Sequence, residues 1–215
     1  MNYDSKPEDY YSHVRKDLVD YLPLAQISAL LDVGCAQGGF GAYIKSRKSD
    51  IEVWGIEPQE SAYQKAKDQL DHAIHAFFTP ELKLEKTFDC IVFNDVLEHI
   101  EDPWEALKHA KTLLNPGGYI FASIPNIGHY SILWDLVMNN KFEYTADGIL
   151  DKTHLRFFTK SGVQSLFEQA GLQVSILQGI NPNYGRKYKL LNLLFLNRLK
   201  EAKFKQFAVL ARKEK

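Results

Sequence analysis

The chain is constrained most by Leu30-Leu31-Asp32-Val33-Gly34-Cys35-Ala36-Gln37-Gly38-Gly39-Phe40-Gly41, read together with Val53-Trp54-Gly55-Ile56-Glu57. A short apolar run ends in an acid and a glycine-rich turn. About one βαβ unit later, a second apolar run ends in a glutamate. A doubly wound sheet builds an adenosine pocket in this way. The glycines let the backbone approach the ligand, and the later carboxylate accepts two hydrogen bonds from a ribose diol. The details select among ligands. A nicotinamide dinucleotide site usually reads G-x-G-x-x-G, because a pyrophosphate must sit on the helix N-terminus. Here Ala36 takes the middle glycine's place, and Asp32 precedes the loop by two residues. An acid there suits a ligand that carries an ammonium or sulfonium charge and no phosphate, such as S-adenosylmethionine (SAM).

Strand and helix patterns alternate along the rest of the chain. Asp9 to Tyr21 has helical spacing. Strands are predicted at Ala29–Val33, Glu52–Ile56, Ala73–Phe77, Phe88–Asn94, Tyr119–Ile124, Leu172–Leu177 and Phe207–Ala211. Helices are predicted at Phe40–Lys48, at Glu60–Leu70, after Asp102-Pro103 and after Thr159. Asp102 reads as an N-cap with Pro103 at the first helical position, and Asn115-Pro116-Gly117-Gly118 as the stop. Gly171 ends the helix that Thr159 caps. Phe88–Asn94 is apolar enough to be buried on both faces. The expected fold is α/β: a doubly wound, mostly parallel seven-stranded sheet with helices on both faces and an antiparallel edge strand. Residues 1–215 read as a single domain. Within it, 125–158 is a long stretch without a strand, expected to be a lid or insertion, and it carries His129, Tyr130, Trp134, Phe142, Tyr144 and His154. Residues 9–22 are expected to form a helix over the cofactor site.

Charge excludes little globally, since the net value is −1, and gives no reason to expect nucleic acid. It is uneven, however. Arg186 to Lys215 holds ten Lys/Arg against two acids, which is either a solvated basic segment or a contact for an anionic acceptor, a partner or a lipid surface. Cys35 and Cys90 are the only cysteines and show no metal or disulfide spacing. Met1–Glu8 lacks a hydrophobic signal region, and the longest apolar run, Leu190 to Leu196, is broken by Asn192 and too short to span a bilayer. The expectation is a soluble cytoplasmic protein without a transmembrane segment, with a homodimer left open.

In order and spacing, Asp32-x-Gly34-x-Ala36-x-Gly38, Glu57, Asn94-Asp95-Val96-Leu97-Glu98-His99 and Asn115-Pro116-Gly117-Gly118 resemble the motifs of class I SAM-dependent methyltransferases. The resemblance covers roughly residues 10 to 212. Ser123-Ile124-Pro125-Asn126 and Asp151–Thr159 are similar to a bacterial subgroup associated with glycan and sugar modification. The resemblance implies that the loop of Gly34, Cys35, Ala36 and Gly38 passes the methionine part of SAM, with Asp32 before it also a cofactor-binding residue. It implies that Glu57 holds the ribose, Pro58 lies against adenine, and Asn94 and Asp95 close the site under the sulfonium. Tyr11 and Arg15 share a helical face and either bind the SAM carboxylate or form an ordinary surface pair. The segment Ile74-His75-Ala76-Phe77-Phe78 offers no acid for the adenine amine. The acceptor is expected to be a hydroxyl of a sugar, nucleotide-sugar or glycan, and alternatively a small aromatic or quinone-like metabolite. S-adenosylhomocysteine (SAH) would be the product. A non-catalytic SAM-binding protein is the alternative of another class.

A hydroxyl acceptor must lose a proton, and histidine is a sensible base near neutral pH. His99 follows the fourth strand and His154 ends the predicted lid, so these two, with Asp95, are the candidate catalytic residues. His13, His72, His75 and His109 read as packing or capping residues. Asp95, Glu98, His99 and His154 also form a set that could bind a divalent metal. A similar pattern of acids and histidines occurs in small-RNA 2′-O-methyltransferases. The metal-free base is the simpler expectation, because a metal would need four side chains from two separate segments to converge.

Overall fold

The computed structural model describes residues 14–214. Seven strands form one sheet: β1 (Ala29–Val33), β2 (Glu52–Ile56), β3 (His72–Ile74), β4 (Phe88–Asn94), β5 (Leu114–Pro125), β6 (Gln173–Pro182) and β7 (Phe204–Arg212). Their spatial order is β3-β2-β1-β4-β5-β7-β6. The first five are parallel, whereas β7 runs antiparallel between β5 and β6. The edge pairing of β6 is therefore antiparallel, as the weak connection between the last two predicted strands suggested. Among the described residues six α-helices surround the sheet: α1 (Gly39–Arg47), α2 (Glu60–Lys67), α3 (Pro103–Thr112), α4 (Tyr130–Asn139), α5 (Lys160–Gln169) and α6 (Arg186–Leu194).

The period of two along each strand divides the core between the two faces. Ala29, Leu31 and Val33 of β1, with Ile91 and Phe93 of β4, pack on the face covered by α3 and α5. Leu30 of β1 and Cys90 and Val92 of β4 pack on the other, with Ile44 of α1 and Leu18. All five β1 residues are buried, as strands between two helical layers require. Helix starts follow local chemistry. The Asp102 carboxylate accepts from Glu105 N at 3.0 Å and Thr159 Oγ1 from Gly162 N at 3.3 Å, each satisfying a donor that the first turn leaves open. At the opposite edge of the sheet, the Asp89 carboxylate accepts from Ser28 N, Ala29 N and Asn115 Nδ2, tying β1, β4 and β5 together.

Several sequence expectations change. The part of Asp9–Tyr21 that is described holds a 3₁₀ helix at Lys16–Tyr21, and residues 9–13 lie outside the described residues. The Asn115–Gly118 stretch does not stop before a strand but lies inside β5, where a bulge in its pairing with β4 absorbs it. The predicted strand Ala73–Phe77 shrinks to His72–Ile74, and Phe77 turns outward, 60% exposed. Stretch 125–158 contains α4, and α6 joins it as a second unpredicted helix. The two pack on each other through Tyr130, Tyr188 and Leu191.

The strand order reverses between β1 and β4, since β2 and β3 lie to one side and β5, β7 and β6 to the other. Open α/β sheets bind ligands in the crevice beyond the carboxyl ends of such a pair. Phe121 lies at the centre of β5, fully buried and 6.1 Å from the Tyr21 ring. Phe121→Ala is expected to cost about 3–5 kcal/mol through lost burial and a cavity. The denaturant midpoint of the purified variant checks this, and a loss below about 1 kcal/mol would contradict the packing described.

Candidate active site

A cleft of about 900 Å³ opens at this switch point. Its floor is the turn after β1. The backbone needs left-handed geometry there: φ is +70° at Gly34 and +50° at Ala36. A Cβ on Gly34 would fall 2.7 Å from Val96 Cγ2, so the position is closed to larger residues on conformational and steric grounds alike. Gly34 and Cys35 donate their N–H groups to Ile56 O, at 2.8 and 3.1 Å, fixing the turn against β2. Glu57 completes this join. One carboxylate oxygen accepts from Ala36 N and the other from Gln59 N, both at 2.9 Å.

The expected cofactor residues are mostly brought together. Asp32, Gly34, Cys35, Ala36, Glu57, Pro58, Asn94, Asp95 and Arg15 all line the cleft. Gly38 does not. At φ +83° it starts α1 and faces α2, where a Cβ would lie 3.2 Å from Ala66 Cα, so its smallness serves helix packing. Tyr11 lies outside the described residues. Arg15 reaches the cleft, but its guanidinium is already engaged: Nη1 donates to Asp95 Oδ2 at 2.6 Å, and Nε and Nη2 donate to Asp17. The end of the cleft beyond Pro58 is lined by Phe77, Phe78 and Glu81, which sequence reasoning left unassigned because no acid occurs in Ile74–Phe78.

The cleft floor holds buried acceptors. Asp32 is 2% exposed; burial and then the neighbouring Glu57 charge push its carboxyl up to about 8. Burial also raises Glu57, against the pull of its two backbone donors. Asn94 Oδ1 is buried without a hydrogen-bond partner among the described residues. These groups suit a ligand that brings a cation and donors of its own.

A second cavity of about 290 Å³ adjoins the first, and Asp95 and His99 line both. Asp95 stands in left-handed geometry, φ +55°, at the end of β4. Its Oδ1 accepts from Ser123 Oγ at 2.9 Å and Gln206 Nε2 at 2.6 Å, and Oδ2 accepts from Arg15. Burial raises its pKa, opposed by Arg15. Neither Ser123 nor Gln206 was expected. Ser123 sits inside a motif read for family likeness alone, and Gln206 gave no sequence signal.

Glu98, His99 and His154 converge at the wall of this second cavity. One ligating atom from each lies within 4.8 Å of the other two. The join is made by the backbone: Leu155 N and Arg156 N both donate to Glu98 O, at 2.8 and 3.1 Å. His99 Nδ1 lies 3.1 Å from Thr153 O, and His154 Nδ1 2.9 Å from Ile149 O. A carbonyl only accepts, so each Nδ1 carries a hydrogen, and whenever the ring is neutral its lone pair is on Nε2. Glu98 is 1% exposed and neither of its carboxylate oxygens has a hydrogen bond among the described residues. Burial first, then the Asp95 charge, raises its pKa well above the usual carboxylate range.

Comparison with known proteins agrees with this architecture. A family model described as a methyltransferase domain matches residues 4–175. The chain is 26% identical over 201 residues to a ubiquinone biosynthesis O-methyltransferase of Paraburkholderia phytofirmans, covering 89% of this chain and 84% of that one. It is 26% identical over 187 residues to the protein of the same description from Chromobacterium violaceum, covering 83% and 78%. Among solved structures, a SAM-dependent methyltransferase from Thermotoga maritima superposes with a TM-score of 0.64 at 18% identity, over 95% of this chain and 89% of that one. The plantazolicin methyltransferase in complex with SAH superposes at 0.68 and 16% identity, over 100% and 92%.

The raised Asp32 carboxyl makes a pH prediction. Between its ordinary 3.8 and about 8, the folded chain holds a proton that the unfolded chain releases. Stability of the ligand-free protein therefore falls as pH rises through that window. Glu57, Asp95 and Glu98 act in the same direction, since burial raises each. Asp32→Asn removes one contributor, so its denaturant midpoint should decline less between pH 5 and 8 than that of the wild type. Equal slopes would mean that Asp32 is ionised in the folded chain throughout.

Proposed function

The chain belongs to the methyltransferase-domain family and is a SAM-dependent methyltransferase, and from that premise we propose that its acceptor is a hydroxyl of a small aromatic, quinone-like metabolite. The observation that carries this is the small cavity next to the cofactor cleft, walled by Glu98, His99 and His154. That cluster suits an acceptor oxygen that must lose a proton. The relatives described as ubiquinone biosynthesis O-methyltransferases support an aromatic hydroxyl over the sugar or glycan favoured by the sequence reading, and no relative named above acts on a sugar by its description.

The residues fit SAM. Asp32 and Asn94 offer buried acceptors where an ammonium group would be neutralised, and Glu57 stands at the end of β2 for a ribose diol. Burying an unpaired acid is costly, so a cationic ligand there returns part of that cost as affinity. Bound SAM supplies a methyl group on a positively charged sulfur, ready for in-line displacement. What the chain contributes is mainly alignment, a large effect for a reaction between two held partners. Asp95, fixed by Arg15, Ser123 and Gln206, forms the boundary between the donor and acceptor cavities. His99, bordering both cavities, is the residue we assign to the acceptor proton, with Nε2 as the basic atom. Residues 126–158 supply the other wall through Ile149, Asp151 and His154, consistent with a cover over the acceptor.

A second reading gives the cluster a divalent cation. Three of the four side chains weighed from the sequence do converge, while Asp95 is held by Arg15, Ser123 and Gln206. The two Nδ1 tethers to backbone carbonyls are the support that ligating histidines commonly have. The buried Glu98 carboxylate, whose Oε1 lies 3.9 Å from His154 Nε2 and has no hydrogen bond among the described residues, favours this reading. An ion held there would acidify an acceptor hydroxyl.

The cofactor assignment predicts that SAM or SAH raises the melting temperature and NAD does not, by about 2.7 kcal/mol of added stability at ~100 times the dissociation constant. Glu57→Ala should weaken SAM binding by about 1.5–3 kcal/mol per charged hydrogen bond lost, with Glu57→Gln milder. Calorimetric titration measures both, and normal binding by Glu57→Ala would move the ribose elsewhere.

The acceptor assignment is tested by methyl transfer to a dihydroxylated aromatic compared with a nucleotide-sugar. We expect O-methylated aromatic product and none from the sugar; the reverse would restore the glycan reading. His99→Ala should retain SAH binding yet lose about 10²–10⁴-fold in turnover. Chelation separates the mechanisms. If the cluster holds an ion, chelator abolishes wild-type turnover and a divalent metal restores it, whereas an unaffected enzyme uses His99 as a simple base.

A further inference from the structure

Helix α6 has two apolar faces, and only one is used. Tyr188 and Leu191 are buried against α4. At about 100° per residue, Leu190, Leu193 and Leu194 fall within an arc of roughly 100° on the opposite side. They are 47%, 67% and 66% exposed. The helix then runs into a turn that holds Phe195 and Leu196 outward, 50% and 78% exposed. This turn is built, not frayed. Asn192 clamps it: its side chain donates to Asn197 Oδ1 and accepts from Leu199 N, both at 3.0 Å. Leu196 and Asn197 are both left-handed, at φ +53° and +60°, a costly geometry for a leucine that has no core to fill.

Charge surrounds this ridge. From Arg186 to Lys200 the chain has five cations and no carboxylate. On the helical wheel, Lys187 and Lys189 flank the leucine arc on either side. The partner helix α4 exposes Leu136, Val137 and Met138 in its last turn. Both helices follow strands that finish on one edge of the sheet. β5 and β6 each run antiparallel to β7, so Pro125 and Pro182 end at the same side, which is also the side of Asp95.

We propose that the α6 ridge docks this enzyme onto an anionic lipid surface, with Leu190, Leu193, Leu194, Phe195 and Leu196 entering the interface and the flanking cations meeting lipid headgroups. An outward apolar arc bordered by Lys and Arg is what interfacial helices present to a bilayer. A second copy of the chain is the poorer occupant. Symmetric pairing through α6 would set the same uncompensated cations against each other. The inference does not depend on which acceptor is methylated.

Cosedimentation of the full chain with vesicles tests it. Wild type should pellet with phosphatidylcholine containing phosphatidylglycerol, much less with phosphatidylcholine alone, and less as salt rises. L193E/L194E should lower the partition coefficient at least about tenfold, and R186E/K189E should lower it on anionic vesicles in particular. Both pairs are exposed, and an unchanged SAH-induced rise in melting temperature verifies that each variant is folded. Failure of the wild type to bind anionic vesicles would overturn the proposal, as would undiminished binding by folded L193E/L194E. A lipid-free dimer that L193E/L194E dissociates would assign the ridge to a second copy instead.

Discussion

The carboxylate of Asp95 is the point through which the two cavities, three strands and the N-terminal segment are joined. It lies at the end of β4 in left-handed backbone geometry, takes Ser123 from β5 and Gln206 from β7, and receives Arg15 from the segment before the sheet. A buried acid is expensive unless it is well bonded, and here each partner comes from a different element. The same atoms that satisfy Asp95 therefore hold the boundary between the two cavities. Charge satisfaction and the shape of the site are met by one set of contacts.

The histidine cluster shows a related principle. Glu98 and His99 sit directly after β4, whereas His154 is more than fifty residues away. Their meeting is secured by backbone, with two N–H groups of Leu155 and Arg156 on Glu98 O and the Thr153 carbonyl on His99. Side chains are then oriented by tethers at their far nitrogens. In the wall of the smaller cavity the backbone and the two imidazole Nδ1 atoms are paired, while the Glu98 carboxylate between them has no hydrogen bond among the described residues.

What could be read from the sequence follows from locality. β1, β2 and β4 match their predicted limits because each is a short apolar run bounded by turn residues and buried on both sides. Asp32, Glu57 and Asn94 line the cleft as expected because their place depends only on being at the end of such a strand. Helix α4 was missed because Tyr-Ser-Ile-Leu-Trp-Asp-Leu-Val-Met-Asn shows no clear polar face, and its aromatics suggested a cover for a ligand instead. Helix α6 was hidden for the opposite reason: its leucines lie on both sides, and its cations read as a solvated segment. Gln206 could not be found at all. Its role depends on the register of β7 against β5 and β6, a long-range fact that no local pattern encodes.

The position of β7 between β5 and β6 has a consequence for assembly. β6 touches the rest of the sheet only through a strand that comes after it in the chain. It must wait, unpaired on its inner edge, until residues beyond Lys203 are available. Contacts of such long sequence separation form late and slowly. Gln206 arrives with that same strand, so a nascent chain stopping at β6 contains every residue that lines the larger cleft and still lacks one of the bonds that seat Asp95. The lining of the larger cleft and the full seating of Asp95 are thereby completed at different points of the chain, the first by Ala106 and the second only by Gln206.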